Sequence, residues 1–202
     1  MPHSFARRKL ASAAAHLNAR SSHAGRVPML VLMTDDERLS NPAAAAMQLP
    51  KGAMIIVRAR EDARRSTLAH EMVALARARG LIVLIANDAK LAADSRADGL
   101  HLSQANAPQA AHWRALHPDW FITVAAHDLH STNLCKFVDA IFLSPVFPTS
   151  SHPRVPALTP VRANAIASAR SVPVYALGGV TGRNASLLHG FAGIAAIGAL
   201  VP

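Results

Sequence analysis

From Met29 onward the chain alternates short apolar runs with helix-like stretches, and this alternation constrains the fold more than any other feature. Eight runs read as strands: Met29–Thr34, Ala53–Arg58, Leu81–Ala86, Asp98–Leu102, Phe121–Ala125, Val138–Ser144, Val172–Leu177 and Gly193–Ile197. Nearly continuous apolar runs of this kind mark strands covered on both faces, as in a parallel sheet. Helix-like stretches separate them at Asn41–Leu49, Asp62–Arg79, Pro108–Leu116, Leu129–Phe137, Thr159–Ala169 and Thr181–His189, with one or two turns after Asn87. In Asp62–Arg79, Leu68, Met72 and Leu75 share a face beneath an arginine-rich outer one. Strict alternation of eight strands predicts an α/β fold of the closed (β/α)8 TIM barrel type rather than an open doubly wound sheet.

The sequence runs to Pro202, just past the eighth strand, so that strand is expected to lack the helix that ordinarily covers it. Cover is expected from a basic leading helix or from a partner subunit, which predicts a homodimer. The leading segment, residues 1–28, is followed by one barrel domain over residues 29–202. Met1 to Thr34 holds Arg7, Arg8, Lys9, Arg20 and Arg26 and no acidic residue, more than half of the net charge of +9. Such a segment can be a transit peptide. The reading adopted is a helix, because Ala6, Leu10, Ala13, Ala14 and Leu17 fall on one face. A nucleic-acid arm would need base-reading or aromatic partners, and only Phe5 is there.

Hydrophobic residues make up 51% of the chain and aromatics only 4%, so the core must be built from Ala, Leu, Val and Ile. The single cysteine, Cys135, cannot form an internal disulfide, which suits a reducing, cytoplasmic setting and a small core side chain. No apolar run approaches the roughly twenty residues needed to span a bilayer.

In such a barrel, ligands bind where strands break into loops at their carboxyl ends. Two breaks are informative: FLSPVFPT at Phe142–Thr149 and YALGGVT at Tyr175–Thr181. The Gly178-Gly179 pair lets backbone N–H groups approach a ligand, and a helix starting near Thr181 would aim its positive end at an anion. Phosphate is the expected ligand.

The motifs Thr34-Asp35, VRAR (Val57–Arg60), ANDAKLA (Ala86–Ala92), ADGLHLSQ (Ala97–Gln104), AAH (Ala125–His127), SPVFPT (Ser144–Thr149) and ALGGVT (Ala176–Thr181) occur in the order in which they stand in the thiamine phosphate synthase and TenI family. The resemblance runs from about Met29 to Val201. It implies a barrel that joins a hydroxymethylpyrimidine pyrophosphate to a thiazole phosphate, with Mg2+, releasing pyrophosphate. TenI-type relatives instead isomerise the thiazole or have no assigned catalysis. The partners implied are small phosphorylated pyrimidine and thiazole ligands, with no nucleic acid and no membrane.

Position by position, the resemblance assigns Arg58 to the departing pyrophosphate, with Arg60 where the synthases place a lysine. Departing charge must be neutralised, and two arginines spaced by the strand period suit that task. Their other reading is an ion network with Glu61 or Asp62. Asn87 falls among the substrate contacts and Asp88 at a magnesium ligand, with helix capping as the alternative. The family's second metal aspartate is replaced by Asn106, whose amide brings no charge, so Mg2+ is expected to bind weakly and to depend on the substrate's own pyrophosphate. Thr149, Ser151, Gly178, Gly179 and Gly198 match the thiazole-phosphate contacts. His127 matches the TenI histidine that moves protons.

Departures cluster on the pyrophosphate side. Ile56 stands where the synthases carry glutamine, Ala125 where they carry serine, and His152 where a lysine is expected. Gly198 also replaces a serine. If each swap removes about 1–3 kcal/mol from the transition state, several together slow a synthase by orders of magnitude. The reading is therefore a weakened synthase, with a thiazole tautomerase or a non-catalytic binder of thiazole or thiamine phosphate as alternatives. Eleven histidines invite a zinc reading, but no HExxH or paired cysteine spacing supports it. No nucleophile elbow or Walker-type loop is found either.

Overall fold

The computed structural model describes residues 2–149, 155–197 and 200. Eight strands, β1 (Leu30–Met33), β2 (Met54–Val57), β3 (Ile82–Ala86), β4 (Gly99–Leu102), β5 (Phe121–Ala126), β6 (Ala140–Leu143), β7 (Val174–Ala176) and β8 (Gly193–Ala196), close into a barrel. Every neighbouring pair is parallel, and β8 returns to β1 with Val31 opposite Ala195. The barrel expected from the alternation is the one observed.

Side chains alternate across each strand with a period of two. Val31, Met33, Met54, Ile56, Leu84, Ala86, Ala140, Phe142, Tyr175 and Ala195 fill the inside. Leu30, Leu32, Ile55, Val57, Val83 and Ile85 face outward into a second, larger apolar layer. With so few aromatics, two of them carry much of the interior volume. Phe142 and Tyr175 stack at 4.8 Å, and the Tyr175 hydroxyl donates to the Pro28 carbonyl at 2.6 Å.

Among the described residues seven α-helices run in chain order: α1 (Pro2–Ala19), α2 (Pro42–Ala46), α3 (Asp62–Arg79), α4 (Ala89–Ser95), α5 (Ala110–Leu116), α6 (Leu129–Leu134) and α7 (Pro160–Ser168). α3 has the expected bounds, buries Leu68, Met72 and Ala76, and ends at Gly80 in the left-handed region with φ 64°. The stretch expected as one helix over Pro108–Leu116 opens instead as a 3-10 segment, Gln104–Gln109.

One expected helix is absent. Thr181–His189 forms only a 3-10 turn at Ala185–Leu187. Local side-chain bonds hold the chain in a tight loop there: the Asn184 amide oxygen accepts from the Thr181 N–H at 2.8 Å, and its nitrogen donates to the Gly179 carbonyl at 2.9 Å. The space outside this loop belongs to α1, which packs against β8, β1 and the 3-10 turn. A Cβ on Gly182 would stand 2.7 Å from the Lys9 Cβ, so the loop passes the helix too closely for any side chain. Leu10, Ala14 and Leu17 are buried, and the buried Asn18 amide donates to the Ala192 carbonyl at 2.6 Å. The basic leading helix thus covers the last strand. Its Ala6, expected on the same apolar face, is exposed.

Candidate active site

A cavity of about 540 Å³ opens at the carboxyl ends of the strands. The period of two explains its walls, because the residue that follows the last interior side chain by two projects into the mouth. Arg58 continues Met54 and Ile56; His127 continues Thr123 and Ala125; Ser144 continues Ala140 and Phe142. Of the residues singled out in the sequence, Arg58, Asn87, His127, Thr149, Gly178 and Gly179 line this one cavity.

Arg58 is oriented by the loop after β1. Its Nη2 donates to Asp35 Oδ2 at 2.5 Å, and its backbone N–H donates to the Thr34 hydroxyl at 2.8 Å. The same carboxylate takes Arg38, Nε to Oδ1 at 3.0 Å and Nη2 to Oδ2 at 2.6 Å. The Arg38 hydrogen bond, then the Arg58 one, hold the Asp35 carboxyl well below the usual carboxylate range against the opposing effect of burial. Arg38 also lines the cavity. The ion pairs considered for these arginines, to Glu61 or Asp62, do not form; the partners come from the first loop.

Arg60 lies apart. β2 ends at Val57, so its alternation no longer governs residue 60. The Arg60 backbone N–H donates to Asp36 Oδ2 at 2.7 Å, and its side chain, 83% exposed, pairs with Glu37 at 2.7 Å. It does not line the cavity.

Asn87, with φ 54°, ties the loop after β3 to the loop after β4: its Oδ1 accepts from the Ser103 N–H at 2.7 Å and from the Asn106 amide at 3.0 Å. Asp88 caps α4, its Oδ1 accepting from the Leu91 N–H at 2.9 Å. Its Oδ2 lies 3.4 Å from Arg65 Nη2. Magnesium demands several oxygen ligands, carboxylates and phosphates foremost. Here the one carboxylate is engaged by a cap and a guanidinium, and the Asn106 amide turns its nitrogen toward Asn87. Neither Asp88 nor Asn106 lines the cavity. Among the described residues no group of His, Cys, Asp or Glu is placed to hold a metal ion. This donor set does not fit a resident magnesium.

On the far side, Gly178 and Gly179 take φ 88° and 64°, and among the described residues their N–H groups have no acceptor. Two successive positive φ values make a concave nest that suits an anion. Glycine is required here for packing as well. A Cβ on Gly179 would stand 2.4 Å from the Pro148 carbonyl oxygen, and one on Gly178 would stand 2.8 Å from the Pro145 Cα. The loop after β6 lies directly against them, bonded from the Val146 N–H to the Leu177 carbonyl and from the Phe147 N–H to the Gly178 carbonyl, each at 3.0 Å. The nest is built from loop backbone, and the helix N-terminus expected near Thr181 has no part in it.

His127 is fixed from both ends. Ser131 Oγ accepts from its backbone N–H at 3.0 Å, and its Nδ1 lies 2.7 Å from the Ser144 carbonyl oxygen. A carbonyl only accepts, so Nδ1 carries the hydrogen and Nε2 is the basic nitrogen. His101, not singled out for the site, also lines the cavity. It is buried, bonded through Nδ1 to the Thr123 hydroxyl at 2.8 Å, and set edge-on to Phe142 at 5.1 Å. Burial, with a smaller effect of Arg58, pushes it down to about 3, so it is neutral at ordinary pH. Its position two residues after Gly99 on an inward register was the available signal. Ser151, His152 and Gly198 lie outside the described residues. Cys135 is half-buried, its thiol pushed up to about 11 by burial, which makes it a poor nucleophile.

A closed parallel barrel with a cationic wall on one side of its mouth and a glycine nest on the other is a cavity chemically suited to anionic ligands. The family described as thiamine monophosphate synthase, TMP-TENI, matches residues 29–200, and the chain belongs to it. Thiamine-phosphate synthase from Chlorobium limicola is 32% identical over 183 residues, which is 86% of this chain and 86% of that protein. The enzyme of the same name from Chromobacterium violaceum is 33% identical over 172 residues, 82% of this chain and 83% of its own length. Among solved structures, thiamine phosphate pyrophosphorylase from Pyrococcus furiosus superposes with a TM-score of 0.70 at 19% identity, covering 90% of this chain and 87% of its own. At that identity it speaks for the fold alone.

Proposed function

We propose that this chain is a thiamine phosphate synthase, joining a hydroxymethylpyrimidine pyrophosphate to a thiazole phosphate. The observation that supports the reading is that one cavity has arginines on one wall and Thr149 with the glycine turn on the opposed wall. Arg58 follows β2 and Thr149 follows β6, four strands apart in either direction around the closed ring. Gly178 and Gly179 follow β7, next to β6. Two phosphorylated substrates held at these ends would present their reacting rings to each other across the middle.

In this reaction the bond from the pyrimidine's methylene carbon to the pyrophosphate oxygen breaks, its electron pair leaving with the pyrophosphate, and the thiazole ring nitrogen bonds to that carbon. Arg58 meets the charge that develops on the leaving group, pre-oriented by Asp35. The glycine nest and Thr149 hold the thiazole phosphate at a fixed distance. Ala125 lines the cavity where the family carries serine, and Ile56, where it carries glutamine, is buried in the barrel interior beneath it, so turnover is slow. Incubation of the purified chain with both substrates, followed by assay for thiamine phosphate, tests the reading; absence of product above an enzyme-free control rejects it.

A second reading, thiazole tautomerase, is favoured by His127 alone. Its tautomer leaves Nε2 basic, and it lines the cavity that holds the nest. His127→Ala should abolish thiazole isomerisation without loss of phosphate-ligand binding if that reading holds.

No helix of the described chain is long and apolar enough to cross a membrane. Diffusible phosphorylated substrates and the unpaired Cys135 support a cytoplasmic setting. The homodimer considered as cover for β8 is decided by sedimentation velocity of the purified chain.

A further inference from the structure

We propose that Arg38 is a second anion-binding residue of the cavity and that, with Arg58, it holds the pyrophosphate end of the substrate without a divalent cation. This deepens the synthase reading and rests on it for the identity of the ligand. Three observations carry it.

First, the metal position is already answered by protein groups. Asp88 is shared between the cap of α4 and Arg65, whose Nη2 also meets Asp62 at 2.5 Å while its Nη1 donates to the Ala59 carbonyl at 3.2 Å. A guanidinium stands beside the carboxylate that a cation would need. Asn106 adds no charge.

Second, Arg38 and Arg58 are brought together by one carboxylate. Both guanidiniums bond Asp35, at 2.6 and 2.5 Å, and both side chains reach the cavity wall while staying partly open, 30% and 43% exposed. Two arginines and one aspartate sum to a single positive charge at that wall. The described lining residues include no Asp or Glu to cancel it.

Third, the arrangement is preorganised. Asp35 Oδ1 accepts from the backbone N–H of Glu37 at 3.3 Å and of Arg38 at 3.1 Å, the Leu39 N–H donates to the Asp35 carbonyl at 3.0 Å, and Leu39 is wholly buried. The turn that carries Arg38 is therefore fixed before any ligand arrives, so little ordering cost falls on binding. Planar guanidiniums match the oxygens of a pyrophosphate in pairs, as a metal otherwise would.

The test is calorimetric binding of inorganic pyrophosphate to the purified chain, in EDTA and again in excess Mg2+. The expected result is the same affinity in both. Arg38→Met should weaken binding by at least about tenfold, the loss of one charge-assisted fork contact. Arg38→Lys, which keeps the charge and loses the fork, should fall between, and it serves if the methionine variant fails to fold. Pyrophosphate binding that requires Mg2+ overturns the proposal, as does unchanged affinity in a folded Arg38 variant, or no pyrophosphate binding at all. Product assays in the same two buffers separate the proposal from the reading beneath it. Turnover abolished by EDTA removes the metal-free arrangement and keeps the synthase. EDTA-resistant, Arg38-dependent pyrophosphate binding with no product keeps the arrangement and removes the synthase.

Discussion

The Asp35 carboxylate accepts from the Arg58 guanidinium at 2.5 Å, joining the loop after β1 to the loop after β2 at the rim of the cavity. Asp35 is largely enclosed, its side chain 12% exposed, and its carboxyl is held well below 3.8 by Arg38 and Arg58. A carboxylate with a lowered folded value adds stability that is fully present above its unfolded value and lost as pH falls through the folded one. Asp35→Asn should therefore lose about 1–2 kcal/mol at neutral pH, and its stability curve should be flatter than the parent's below about pH 4. Urea denaturation at pH 7, 4 and 3 measures this; parallel curves would mean that the clamp contributes nothing to folding.

His101 gives the opposite end of the same pH scale. Its folded value of about 3 lies far below the usual 6.5, so the unfolded chain binds a proton that the folded chain refuses. Stability from this residue is complete above 6.5 and declines as pH drops toward 3, by at most about 1.4 kcal/mol per pH unit. His101→Gln should remove that slope between pH 6 and pH 4.5, above the range in which Asp35 acts. An unchanged slope would place the acid sensitivity elsewhere.

Gly179 separates backbone strain from crowding. Alanine there meets both, a φ of 64° and a Cβ 2.4 Å from the Pro148 carbonyl oxygen. Gly52 has φ 78° with nothing within 4 Å of a Cβ, so alanine there meets strain alone. Gly52→Ala should cost about 1 kcal/mol, and Gly179→Ala distinctly more, because the loop after β6 must move. Gly179→Ala should also weaken binding of inorganic phosphate by about tenfold, one lost hydrogen bond to a charged group. Equal stability losses, or intact phosphate binding, would contradict the packing account.

Much of this was legible before any coordinates. Each strand appears within two residues of its apolar run, since a run buried on both faces has few other places to go. Arg58 was legible as a cavity residue because it continues the inward register of Met54 and Ile56. That logic failed at Arg60, where the strand had ended and the carboxylates of Asp36 and Glu37 took over. Those partners lie more than twenty residues away, and no local pattern carries them. The same holds for Asp35, visible only as part of a motif until folding set it beside two arginines. The helix expected after Thr181 failed for a related reason, as α1 occupies the flank it would need. His101 was hidden in plain view, a polar residue on an inward register within an apolar run.

The basic leading helix is the last element whose role can be tested directly. Its apolar face suggested a helix, and that face packs over β8 in the barrel's outer layer. Leu10 is wholly buried, and the Lys9–Leu10 backbone crosses Gly182 at close range. Leu10→Ala removes one methine and two methyl carbons from that layer and should cost about 2–4 kcal/mol. A helix that merely lay on the surface would lose far less. Arg8→Ala, on an exposed position of the same helix, removes charge and leaves the packing untouched, so its effect should stay within about 0.5 kcal/mol. The contrast between these two variants in thermal denaturation decides whether apolar cover or basic charge is what α1 contributes. Matching midpoints would show that β8 is protected by something other than this helix.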